Sequence, residues 1–320
     1  MRGPMLSRLT RKLLLCLVAP VCANYIAYYG FVTHYSVGVF TPRGFHAQYD
    51  HEVFRYRLLG KWLLLGVYGV LERLNPADAG WGRLAAFVGT DSVNFYHSYF
   101  VLNTAFLCLT LLVVADRLKD VELLVVTLVV SVTQFVVVPY DVVAYFFLAC
   151  TFVWRRSLAV TALVVLLAAL NRETAALSLS LYASLLLLGR GGSWRGLGVL
   201  TAVFLATYVG LRVALGWNTA VGNELTLVKY MDLRSAVGVG FAVAAGYALV
   251  SRRRAAALFL LCSLPYVLSI LITGNPFEAR LWAPLLLGIL FVQSADAEGD
   301  PDPPPATPAA RDAAAPAPAS

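Results

Sequence analysis

The stretch Pro139–Thr174, PYDVVAYFFLACTFVWRRSLAVTALVVLLAALNRET, governs how the rest of the chain is read. It holds two apolar runs of 13 residues, Val142–Trp154 and Leu158–Leu170, joined through Arg155-Arg156. Asp141 borders the first run, and Asn171-Arg172-Glu173-Thr174 follows the second. At 1.5 Å per residue such a helix covers about 20 Å, short of a hydrocarbon layer of about 30 Å. To cross, the pair must draw Asp141, Asn171 and Arg172 beneath the membrane surface. Charged groups at that depth face a protein-lined or water-filled cavity, because lipid exposure would cost several kcal/mol. The short runs therefore predict a polar recess open to one side.

The rest of the sequence agrees with a membrane setting. Of 320 residues, 59% are hydrophobic and 13% charged, against about a quarter charged in soluble domains. This excludes an ordinary soluble enzyme, a disordered chain and a nucleic-acid-binding module. The fold class expected is all-α, a polytopic transmembrane bundle of about ten spans. The runs are Leu13–Val32, Tyr96–Ala115, Val121–Val138, Val142–Trp154, Leu158–Leu170, Ala175–Leu188, Leu197–Leu215, Ala236–Val250, Ala255–Thr273 and Leu281–Gln293. Between the first two lies a long polar and aromatic region, residues 33–96, in which Phe54–Leu74 reads as an amphipathic or partly inserted helix.

Charge placement sets the orientation. With the N-terminus inside, alternate connections carry Arg117 and Lys119, Arg155 and Arg156, Arg190 and Arg195, and Arg252–Arg254. Short loops rich in Lys and Arg belong on the cytoplasmic side. The intervening connections hold Asp50, Glu52, Asp91, Asp141, Asn171-Arg172-Glu173-Thr174, Glu224, Lys229, Asp232, Glu278 and Arg280. The N-terminal Arg2, Arg8, Arg11 and Lys12 precede a run long enough to span, so an uncleaved first helix is expected rather than a signal peptide. Residues 1–293 form the membrane domain. The Ala- and Pro-rich 294–320 segment is expected to be a disordered cytoplasmic tail. The five cysteines lie in apolar runs and read as small buried hydrophobes.

The residues that could carry chemistry sit on the outer side. Asp50 and Glu52 flank His51, a spacing that suits a general base or a hard divalent cation; capping by Asp50 and a Glu52–Arg55 pair explain them equally well. Asn171 is placed to cap the helix that runs to Leu188, with Arg172 and Glu173 in its first turn. A helix start with an arginine seats a phosphate, although Glu173 can instead neutralise Arg172 in a structural pair. Pro139 should end one helix, and Asp141 should cap the next or take a catalytic role. Arg280 enters the last span and again suits a phosphate, with a Glu278–Arg280 surface pair as the plainer account. No P-loop, G-x-S-x-G, HExxH, paired CxxC or dinucleotide fingerprint is present.

This layout resembles the GT-C class of integral-membrane glycosyltransferases, in its many uneven spans and its long first outer loop with the acidic Asp50-His51-Glu52. The resemblance implies sugar transfer from a polyprenyl-phosphate donor to an envelope glycan, lipid or protein acceptor, at the outer face of a bacterial inner membrane. It implies Asp50 or Glu52 as the base or as ligands of a divalent cation. Arg172 and Arg280, with Asn171 and Glu173 beside them, would bind substrate. The rival expectations are a polysaccharide polymerase or other envelope-assembly enzyme, and a lipid or solute transporter or flippase.

Overall fold

The computed structural model describes residues 4–30, 41–50, 52–74, 93–134, 136–217, 233–250, 254–273 and 278–297, and these are helical apart from short connections. The first helix passes through α1 (Pro4–Leu13), a π-helical stretch Leu14–Val18, α2 (Ala19–Tyr25) and a second π stretch Ile26–Gly30. Then come α3 (Pro42–Asp50), a 3-10 turn Glu52–Tyr56, α4 (Leu58–Leu74), α5 (Val93–Val114) and α6 (Asp120–Thr133). The hairpin read from sequence is α7 (Asp141–Trp154) and α8 (Leu158–Asn171). A 3-10 turn Glu173–Ala175 leads into α9 (Ala176–Leu187), followed by α10 (Trp194–Leu215) and α11 (Leu233–Val250). The chain closes with α12 (Arg254–Cys262), α13 (Leu264–Thr273) and α14 (Ala279–Ala297).

Each apolar run read from sequence overlaps helix, although Val121–Val138 is helical only to Thr133, and length and hydropathy together qualify fewer of the runs as spans. Arg8–Gly30, Val93–Val114 and Trp194–Leu215 are long and apolar enough to cross a membrane. The expected Ala255–Thr273 run is broken, with α12 and α13 meeting at 60°. Burial separates a central helix from a peripheral one: 61% of the span window in α5 is inside the protein, against 6% in α10. The outward faces carry Leu163, Val213, Val243 and Tyr247, all exposed. Apolar surface on that scale would be costly in water and suits lipid.

The interior is apolar and closely fitted. Phe152 on α7 stacks on Phe291 of α14 at 5.1 Å between centroids. Gly288 lets α14 approach α12 so closely that an added Cβ would lie 2.1 Å from Phe259 Cζ. Cys16, Cys108 and Cys150 are buried as expected, whereas Cys22 faces outward and Cys262 is half-buried.

Polar groups gather at the two ends of this apolar body. At one end Arg11 pairs with Asp120 and donates to the carbonyls of Ala115 and Leu118 at 3.1 and 3.0 Å. Lys12 meets Asp116 at 2.8 Å, and the surrounding charge holds the Asp116 carboxyl below its usual range, chiefly through the Lys12 hydrogen bond. Arg155 donates to Arg190 O at 2.9 Å, Arg190 pairs with Asp296 at 3.3 Å, and Ser294 donates to Arg117 O at 2.8 Å. The connections holding Arg117, Arg155 and Arg190 thus share one end with the N-terminal helix, while Arg252 and Arg253 lie outside the described residues. Ser294 belongs to α14, which continues to Ala297, so the expected tail is helical over its first four residues. The remainder, 298–320, lies outside the described residues, as does Asp91.

Candidate functional site

The opposite end is organised by the α7–α8 hairpin. Two antiparallel 14-residue helices return the chain to its starting level, so Asp141 at the start of α7 meets Arg172 just after α8. Asp141 is buried at 2% exposure, and its carboxylate takes an ion pair from Arg172 on one oxygen. Arg280 Nη1 lies 3.8 Å from the other oxygen. Arg280 also donates to Glu278 at 2.5 Å, so the expected pair forms, but both side chains are largely buried and it is not a surface pair.

A further arginine, Arg57, enters from between the 3-10 turn and α4. It donates from Nε to Glu173 at 3.3 Å and from Nη2 to the second oxygen of the same carboxylate. Burial raises the Glu173 carboxyl, but Arg57 and Arg172 outweigh it and bring the group down to about 2. Tyr140 lies at the centre of the cluster. The guanidinium carbons of Arg57 and Arg172 lie 4.3 and 5.2 Å from its ring centroid. Gly60 permits this packing, since a Cβ there would lie 2.9 Å from Tyr140 Cβ and 3.1 Å from Asn171 Oδ1.

The local expectations require correction at each helix end. The helix before Pro139 stops at Thr133, where Gln134 turns its side chain inward and accepts from Asn103 on α5. Asp141 is the first residue of α7 and not its cap; its carboxylate is drawn away to the arginines. Asn171 ends α8 instead of capping α9, because its side chain donates to Tyr140 O at 2.8 Å across the hairpin. Arg172 is extended at φ −167°, and α9 starts only at Ala176, so neither Arg172 nor Glu173 lies in its first turn.

Of the expected site residues, Asp141, Asn171, Arg172, Glu173 and Arg280 are therefore brought together. Asp50 is the last residue of α3 and Glu52 opens the 3-10 turn, six and four residues before Tyr56, so at most about 3.6 Å per residue away along the chain. Their side chains, and His51 altogether, lie outside the described residues. Arg57, Tyr140 and Gly60 were not singled out from sequence. An arginine directly before the apolar Leu58–Leu74 helix was the signal for the first of them.

Electrostatically the cluster is balanced: Arg57, Arg172 and Arg280 face Asp141, Glu173 and Glu278. Hydrogen bonding is incomplete, since Asp141 Oδ2, Asn171 Oδ1, Arg172 Nε and Thr174 Oγ1 are buried without a hydrogen-bond partner. Buried polar atoms of this kind call for water or a ligand. The enclosed crevice beside Thr174, Ser178 and Pro284 measures about 10 Å³, no more than one water requires. No three His, Cys, Asp or Glu residues gather as a metal cage among the described residues.

A second polar feature runs inward from the cluster. Asn103 on α5 donates to Val138 O at 3.2 Å, to Gln134 at 3.0 Å and to the Tyr28 hydroxyl at 2.7 Å. Deeper, Asn24 on α2 donates to Thr104 at 3.2 Å and accepts from Ser131 at 2.9 Å. An apolar groove of about 500 Å³ lies along α4, lined by Leu59, Trp62, Val67 and Val101 among others. Its end at Leu59 is two residues from Arg57.

No family model, curated protein or solved structure matches this chain.

Proposed function

We propose that the chain is an integral-membrane glycosyltransferase of GT-C-like, roughly ten-span architecture, moving a sugar from a polyprenyl-phosphate donor to an envelope acceptor. The helices too short to span alone cross within the bundle, with both termini cytoplasmic and the Tyr140 cluster beneath the outer surface of the inner membrane. The observation that carries this reading is the meeting of Arg57, Asp141, Arg172 and Arg280, from distant parts of the sequence, at one end of the bundle. An apolar groove beginning beside Arg57 suits the hydrocarbon part of a lipid-linked donor.

In the reaction the acceptor oxygen bonds to the anomeric carbon as the bond to the phosphate oxygen breaks. The acceptor proton passes to Asp50 or Glu52, and negative charge grows on the departing phosphate, where guanidinium groups stabilise it. The same two carboxylates supply the oxygen donors that a divalent cation on the phosphate would require. Asp141, with its oxygens engaged by Arg172 and Arg280, acts as a positioning residue for those two guanidinium groups.

The test is transfer by the full chain in liposomes from a synthetic polyprenyl-phosphate hexose to an isolated envelope fraction, followed by mass spectrometry. Replacing both Asp50 and Glu52 by Ala should abolish product. Transfer retained by that double variant overturns the reading.

One observation favours a transporter as the second reading: the polar seam through Asn103, Gln134, Tyr28 and Asn24 extends into the bundle. Intramembrane polar chains line transport paths, although they also join helices.

A further inference from the structure

Two arginines next to the Tyr140 cluster have no carboxylate partner among the described residues. Arg212 lies in the last turn of α10 and donates to Tyr208 O at 3.2 Å. Its guanidinium carbon stands 3.4 Å from the Tyr208 ring centroid and 4.4 Å from that of Tyr56. Arg55 approaches the same corner: its Nη1 would lie 3.9 Å from a Cβ placed on Gly216. The corner is fixed by Tyr56, which is 4% exposed and donates from its hydroxyl to Gly216 O at 2.5 Å. That bond satisfies the carbonyl at the end of α10, so Arg212 is not consumed as its cap. Both arginines are half-buried.

The contrast with the inner cluster is one of charge. Arg57, Arg172 and Arg280 are matched by Glu173, Asp141 and Glu278, so a phosphate placed on them must displace a carboxylate already in position. Arg55 and Arg212 carry two positive charges with no carboxylate opposite them among the described residues. A guanidinium stacked on aromatic rings keeps its N–H groups in plane and outward, the geometry that takes two phosphate oxygens at once.

We infer that Arg212, stacked on Tyr208 and Tyr56, and Arg55 at the same corner form a phosphate-binding seat beside the Tyr140 cluster. On the transferase reading, the donor phosphate rests there rather than on Arg172 and Arg280. The seat itself does not depend on that reading.

The experiment uses the full chain in phosphatidylcholine nanodiscs with two probes, geranylgeranyl monophosphate and inorganic phosphate, and reads affinity by calorimetry. Wild type should bind at least one of them. Arg55→Gln with Arg212→Gln should weaken binding by about tenfold or more, the loss expected for one or two charge-assisted hydrogen bonds. Arg156→Gln, at the other end of the bundle, should leave it unchanged. Binding of the lipid probe alone assigns a lipid headgroup, and equal binding of inorganic phosphate assigns a soluble anion. Should the double variant not elute as a single folded species, Arg55→Gln alone, which breaks no hydrogen bond, must still weaken binding by about threefold. A wild type that binds neither probe, or a folded variant that binds as wild type does, overturns the seat. Phosphate binding by a wild type that transfers no sugar removes the transferase reading and leaves the seat standing.

Discussion

Arg57 and Glu173, 116 positions apart, are joined by a two-pronged guanidinium–carboxylate contact. Arg57 precedes α4, and Glu173 follows the α7–α8 hairpin, so this contact ties the first outer region to the hairpin. Arg57 is nearly buried, and its planar fork reaches both oxygens, which a lysine could not do from one point charge. The contact also brings the 3-10 turn that begins at Glu52 next to Tyr140 and Arg172. Any chemistry by Asp50 or Glu52 on a substrate at the cluster depends on this tie.

The Asp141–Arg172 pair should behave as a buried salt bridge whose loss is worse than its absence. Asp141 is 2% and Arg172 7% exposed in their side chains. Removing one partner from such a pair costs about 3–5 kcal/mol, because the other charge is left unpaired. Asp141→Leu is therefore expected to lower the melting temperature in detergent sharply. Asp141→Leu combined with Arg172→Met should recover most of the loss while leaving transfer abolished. A double variant no more stable than the single one would remove this account of the pair.

Gly60 and Gly66 on the same helix make a paired test of packing. A methyl group at Gly60 would press on Tyr140 Cβ at 2.9 Å and on the Tyr140 Cα at 3.2 Å, and backbone does not yield readily. Gly60→Ala should cost about 1–3 kcal/mol through overpacking. At Gly66 an added Cβ meets nothing within 4 Å, so Gly66→Ala should be neutral or stabilise by up to about 1 kcal/mol through helix propensity. Thermal unfolding of both variants settles the comparison, and equal effects would mean that α4 does not rest on Tyr140.

Much of the site was legible because an antiparallel hairpin of two equal helices must return Asp141 and Arg172 to one level. The helices themselves were legible from hydropathy. Their ends were not, because Asn171 and Gln134 spend their side chains on tertiary partners, Tyr140 O and Asn103, that no local rule anticipates. Arg57 was hidden for a related reason: its partner is remote, and beside an apolar helix it resembles an interfacial anchor. The break between α12 and α13 falls at Ser263, inside an apolar run that hydropathy reads as continuous.

The inner polar seam separates transferase from transporter. In the membrane a hydrogen bond between helices contributes about 0.6–2 kcal/mol. Asn24→Leu breaks the contacts to Thr104 and Ser131 and should cost stability within that range. On the transferase reading sugar transfer at the outer end should survive, since Asn24 is far along the seam from Tyr140. Loss of all activity in a variant that melts normally would favour a path through the bundle.

Acid should loosen the cluster through Glu173. Burial opposes its charge, but Arg57 and Arg172 prevail and hold the folded carboxyl at about 2, below the value near 4.3 expected in an unfolded chain. A depressed folded value means that the stabilisation is complete above about pH 4.3 and is lost as pH falls toward 2. Over that window the unfolded chain takes up the proton first, which pulls the equilibrium toward unfolding. The Glu173 side chain is 35% exposed, so solvent screening reduces the stability at stake. Melting curves collected from pH 6 to pH 3 should show wild type losing stability more steeply than Glu173→Gln, which starts lower and has no proton to gain at this position. Parallel curves for the two proteins would mean that Arg57 does not hold Glu173 ionised in the folded chain.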